Sequence, residues 1–169
     1  AIDRLFGGRY RLWRSALFTK SEGSKELGWH HDKHFSSGER DVDLAELGGH
    51  VSVLFGLTEI SQANGMIEVL SGTHQPLAGL SRDTRPYHHR PVTAHFLTDL
   101  PPPLLAVRRP VPIPAGSFMV FHSALLHRSL AHHGGADRVG LAIRLVAEGL
   151  EIPSALAEPD EVVPFPPVQ

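Results

Sequence analysis

Apolar and polar side chains alternate along much of this chain, and a three-to-four spacing is rare. Tyr10-Arg11-Leu12-Trp13-Arg14-Ser15-Ala16-Leu17-Phe18-Thr19 alternates and is rich in residues that favour extended backbone, which predicts a strand ending at Ser21-Glu22-Gly23-Ser24. Its arginines are expected to face water. His50 to Thr58 puts Val51, Val53, Phe55 and Leu57 on one side of a second strand. Asn64-Gly65 tolerates positive φ and, with Met66 to Leu70 returning, predicts a hairpin. Further strands are expected at Ser117 to His122, around Leu125 to His127, and from Arg138, where Gly140, Ala142 and Arg144 share one side and Val139, Leu141, Ile143 and Leu145 the other. Asp41 to Leu47 fits a short helical turn. Pro101 to Pro103, Pro110, Pro112 and Pro114 break helices and fit linkers or edge strands. Ser81 to Arg90 reads as an exposed loop or as a lid contacting an anionic substrate, and the proline-rich tail after Val146 reads as irregular. Short strands divided by Gly/Pro turns predict an all-β fold: a two-sheet jelly roll, or double-stranded β-helix, cupin-like, with short peripheral helices or loops.

At 18.5 kDa, residues 1–169 make a single domain with enough chain to bury a core. Sixteen basic against eighteen acidic side chains leave a formal charge of -2, which gives no electrostatic footprint for nucleic acid. The absence of cysteine excludes disulfides, thiolate ligands and a cysteine nucleophile. No apolar run is long enough for a membrane span and no signal-peptide pattern opens the chain, so a cytoplasmic protein without membrane contact is expected. The chain starts at Ala1 inside what reads as sheet structure, so some N-terminal residues are expected to precede it.

Candidate chemistry lies in Gly28-Trp29-His30-His31-Asp32-Lys33-His34-Phe35 and in Leu126-His127-Arg128-Ser129. On an extended segment His30 and Asp32 point to the same side and can grip one ion together. With His127 they make two imidazoles and one carboxylate, a set that leaves three adjacent positions open and is used by non-haem iron(II) oxygenases. Zinc, manganese and nickel suit the same donors. Arg138, eleven residues after His127, can hold the far carboxylate of a dicarboxylic co-substrate by a bidentate pair. If the strand continues, His34 shares the side of His30 and Asp32 and, with Phe35, borders the substrate. Arg144 either receives a substrate carboxylate or pairs with an acid at the barrel mouth. His74 is expected to bond to loop backbone.

From Leu17 to Val146 the chain resembles the phytanoyl-CoA dioxygenase family of iron(II)/2-oxoglutarate oxygenases. The matching pieces are Trp29-His30-His31-Asp32, Asn64 to His74, Gly116 to His122, Leu126-His127-Arg128-Ser129 and Arg138. The resemblance implies that His30, Asp32 and His127 bind iron(II), that Arg138 pairs with the distal carboxylate of 2-oxoglutarate, and that Ser129 adds a hydrogen bond to it. It further implies dioxygen as co-substrate, release of succinate and carbon dioxide, and hydroxylation of an unactivated C-H bond in a small molecule such as an amino acid or natural-product intermediate. With Asp32 present, hydroxylation is expected in place of halogenation. Two other classes stay open: a cupin-like metal-dependent isomerase or epimerase that has no need of Arg138, and a non-catalytic jelly-roll binding module.

Overall fold

The computed structural model describes residues 4–5, 7–32, 34–37, 40–43, 50–74, 100, 102–152 and 161–164, with backbone alone in 34–37, 40–43 and 161–164. Eleven strands account for most of it: β1 (Tyr10–Lys20), β2 (Leu27–His30), β3 (His34–Ser37), β4 (Arg40–Asp43), β5 (His50–Gly56), β6 (Ile67–Leu70), β7 (Arg108–Val111), β8 (Phe118–His122), β9 (His127–Ser129), β10 (Arg138–Ala147) and β11 (Glu161–Pro164). One helical turn, α1 (Pro102–Leu105), precedes β7. Among the described residues no helix is long and apolar enough to cross a membrane.

The strands form a five-stranded sheet ordered β11-β1-β10-β5-β8 and a four-stranded sheet ordered β2-β9-β6-β7, with β3 and β4 pairing apart from both. Every pairing is antiparallel except β1 with β11. The two large sheets pack face to face, as an alternating pattern requires when each sheet has one apolar face to bury. Leu54 of β5 meets Ile67 of β6, Ile60 and Ile113 in a buried cluster, with Phe121 and Ala142 against it. Ile60 is fully shielded, so cutting it to alanine costs about 2–5 kcal/mol. A second cluster, Trp29, Leu70, Leu104 and Leu126, closes the outer side of the smaller sheet around α1. The jelly roll read from the alternation is the fold observed.

Several local expectations are corrected. β5 and β6 do not form a hairpin, because they belong to different sheets. The Asn64-Gly65 segment is an arch between layers: Asn64 Oδ1 accepts from the Ser61 amide at 2.8 Å, its Nδ2 donates to the Glu59 carbonyl at 2.8 Å, and Gly65 takes a φ of 98°. The dipeptide supplied the bend, but the apolar residues on both sides of it are buried more fully across two sheets than in one. Arg40–Asp43 is a strand and not part of a helical turn, since it pairs with His34–Ser37. The tail returns as β11, parallel to β1. Pro102 and Pro103 do not prevent a helical turn, because proline is tolerated where the first-turn N–H groups have no partner. Pro110 lies in β7, the edge of its sheet, as its missing donor demands. Arg14 is buried beside Trp13, against the expectation of water-facing arginines. The Ser81 to Arg90 segment lies outside the described residues.

Candidate metal centre

β2 and β9 are neighbours in the smaller sheet, and their register sets His30 directly opposite His127. The two rings lie 4.2 Å apart between centroids, and Phe121 from the opposite sheet meets His127 edge-on at 4.8 Å. Asp32 falls just past the end of β2, where its amide donates to the Ser123 carbonyl at 2.8 Å and turns the carboxylate back toward the imidazoles. Donor atoms of His30, Asp32 and His127 all lie within 4.8 Å of one another, close enough to share one ion. All three residues are buried.

The ring orientations suit a metal. Nδ1 of His30 faces the Gly28 carbonyl at 2.7 Å, and Nδ1 of His127 faces the Leu125 carbonyl at 2.9 Å. A carbonyl only accepts, so each Nδ1 carries the proton and each Nε2 keeps its lone pair for the cluster. Burial, helped by His127, pushes the His30 imidazole down to about 3, so it is neutral and able to ligate at ordinary pH. For Asp32 burial works toward protonation, but Arg144, His127, His30 and His50 outweigh it and hold the carboxyl well below the usual carboxylate range. The donor set is therefore two imidazole Nε2 atoms and one anionic oxygen, which matches the preferences of a divalent transition metal.

A partly open cavity of about 620 Å³, its mouth included, runs between the sheets past this cluster. His30, Asp32, His127, Ser129, Arg138 and Arg144 all line it. Arg138 is 2% exposed, and its Nη1 donates to the Ser129 hydroxyl at 2.6 Å and to the Gly65 carbonyl. Its Nε has no hydrogen-bond partner, and no carboxylate among the described residues pairs with it. Burial pulls the guanidinium down to about 10, yet it stays charged. A buried cation facing a cavity without an acid is costly unless an anion enters. Ala142 leaves room on the same side of β10, whereas Gly140 is approached by Leu54.

Arg144 is buried with Nη2 3.7 Å from Asp32 Oδ1, so it pairs with an acid of the cluster itself. β2 stops at His30 and β3 is a separate strand, so the continuous strand imagined for His34 and Phe35 is broken; their side chains lie outside the described residues. His74 faces the His122 ring at 6.0 Å.

Two further residues escaped the sequence. Ser52 of β5 donates to Asp32 Oδ2 at 3.0 Å. Its signal was a hydroxyl in a strand of hydrophobes. Lys20, 1% exposed, is the cross-strand partner of Arg138 and donates to the Leu130 and Lys25 carbonyls. Burial, then the neighbouring Arg138, pushes its amine down to about 7.

A cupin-like jelly roll with a buried cluster of two histidines and one carboxylate defines the class of this protein. Residues 4–140 match the phytanoyl-CoA dioxygenase (PhyH) family, and the chain belongs to it. Similar solved structures include the apo form of the non-heme monooxygenase ThoJ, 21% identical with a TM-score of 0.59, over 86% of this chain and 50% of that one. The non-heme alpha-ketoglutarate-dependent epimerase SnoN from nogalamycin biosynthesis is 18% identical, TM-score 0.60, over 86% and 51%. CytC3 with Fe(II) and alpha-ketoglutarate is 21% identical, TM-score 0.54, over 86% and 49%. The chain thus spans about half the length of these structures. No curated protein matches it.

Proposed function

We propose that this chain is an iron(II)/2-oxoglutarate-dependent dioxygenase that hydroxylates an unactivated C-H bond of a small molecule. One observation carries the reading: a buried guanidinium with no acid beside it among the described residues shares a cavity with a buried His-Asp-His cluster. His30 and His127 through Nε2, and Asp32 through its carboxylate, would hold the metal. Bound there, iron(II) would activate dioxygen, the oxidant, whose reduction is shared between 2-oxoglutarate, released as succinate and carbon dioxide, and the C-H bond of the substrate. The protein's own residues do the rest. Carbonyls of Gly28 and Leu125 keep both imidazoles in the ligating tautomer. Arg138 pairs with the distal carboxylate of the oxo acid, and Ser129, already bonded to Arg138, orients that guanidinium. Phe121 packs on His127 and Leu54 lines the cavity, excluding water from the reacting face.

The likeness of the fold to SnoN favours a second outcome, epimerisation with the same co-substrate. Both give succinate, and the product's mass separates them, since only hydroxylation adds an oxygen atom. The test is succinate release under iron(II) across a panel of amino acids and natural-product intermediates, for the parent chain, His127→Ala and Arg138→Ala. Loss in both variants is expected. Full turnover in Arg138→Ala would refute the co-substrate role of that guanidinium, a parent that binds metal but releases no succinate would move the protein to the cupin-like isomerases, and a parent with neither would leave a binding module.

A further inference from the structure

Ser52 sits in β5 among Val51, Val53 and Leu54, all buried, and is itself 3% exposed. A hydroxyl in such a strand needs a partner, and it has Asp32 Oδ2 at 3.0 Å. The other carboxylate oxygen looks elsewhere: Oδ1 lies 3.9 Å from His127 Nε2 and 3.7 Å from Arg144 Nη2. The two oxygens therefore occupy different surroundings, one engaged by the sheet wall and one turned to His127 and Arg144. Backbone register explains the arrangement, since Ser52 is paired with Arg144 on β10 and with Phe121 on β8, so the hydroxyl and the guanidinium reach the carboxylate from adjacent strands.

This matters for coordination. A carboxylate can bind a metal through one oxygen or through both. Binding through both would consume a fourth position and leave two, too few for a chelating oxo acid and a third ligand. A hydroxyl that holds Oδ2 competes for that oxygen and disfavours this option. Resting on the metal-centre reading above, we propose that Ser52 is a positioning residue that confines Asp32 to one-oxygen ligation through Oδ1 and so keeps three adjacent coordination positions open.

Cobalt(II) tests this, because its visible absorption reports coordination number and geometry without turnover. The parent chain, Ser52→Ala and Ser52→Thr are titrated with cobalt(II), then with 2-oxoglutarate. Ser52→Ala should bind cobalt about 10- to 100-fold more weakly, as loss of a hydrogen bond to a ligand typically does. Its absorption should differ from the parent's, and the change on adding 2-oxoglutarate should shrink. Ser52→Thr keeps the hydroxyl and should restore affinity and spectrum. Parent-like binding and absorption in Ser52→Ala would overturn the proposal while leaving the metal centre intact, and equal loss in both variants would overturn it by showing that the hydroxyl is not the cause. A parent chain that binds no cobalt would remove the metal centre and this proposal together.

Discussion

Gly65 is the position where a single added methyl group should separate the co-substrate pocket from the metal cluster. Its φ is 98°, a conformation that costs a non-glycine residue about 1–3 kcal/mol. A Cβ there would stand 2.9 Å from the Leu130 carbonyl oxygen, 2.8 Å from Lys20 Cδ and 3.4 Å from Arg138 Nη1. Leu130 cannot yield easily, since its amide donates to Met66 O at 2.9 Å and its carbonyl accepts from Lys20 Nζ at 2.6 Å. Forcing the methyl in adds a repacking cost of about 1–3 kcal/mol. Gly65→Ala should therefore lose about 2–6 kcal/mol in urea unfolding. Gly72→Ala is the control: its φ is 84° but a Cβ would meet nothing within 4 Å, so it carries the backbone cost alone. Because the Gly65 carbonyl accepts from both Arg138 and Ser129, the variant should also bind 2-oxoglutarate at least about tenfold more weakly, a loss of about 1.4 kcal/mol, with nickel affinity unchanged. Gly65→Ala as stable as Gly72→Ala, with parent-like 2-oxoglutarate binding by calorimetry, would refute the reasoning.

Acid should weaken the metal-free fold. Burial pushes both His30 and His50 down to about 3 from an unfolded value of 6.5, so the unfolded chain binds more protons throughout that window. Their stabilisation is complete above pH 6.5 and is lost as pH falls toward 3, with a slope of at most about 2–3 kcal/mol per pH unit for two protons. Urea midpoints that stay flat between pH 7.5 and 5 would contradict this. Arg128→Lys should cost about 1–3 kcal/mol, because Nε and Nη2 reach Glu68 Oε2 at 2.7 and 2.6 Å while the guanidinium lies 4.9 Å from the Trp29 ring centre, a pair of contacts an ammonium cannot reproduce. Denaturant unfolding of the variant checks it; a change below about 0.5 kcal/mol, the usual size for a neutral surface substitution, would count against that anchor.

The alternation of β1 and β10, the donor types at His30, Asp32 and His127, and the guanidinium at Arg138 were all legible along the chain, because strand period and ligand chemistry are properties of residues taken a few at a time. The partition of strands between sheets was not. Asn64-Gly65 encodes a bend whether the chain folds back into one sheet or crosses to another, and the choice fell to burial of Ile60 and Ile67 against Leu54 and the sequence-distant Ile113, a cluster that forms only between the two sheets. Ser52 was hidden for the same reason. Its strand carried Val51, Val53 and Phe55 on the more apolar side, yet the hydroxyl side is the one that meets Asp32. Lys20 becomes a second cation beside Arg138 only through the pairing of β1 with β10. Sequence by itself thus determined which side chains can ligate, donate or carry charge, since those are covalent facts. Tertiary structure decided which oxygen of Asp32 faces His127, which acid Arg144 meets and which cation has none beside it among the described residues, since each depends on contacts between strands whose order no local pattern encodes.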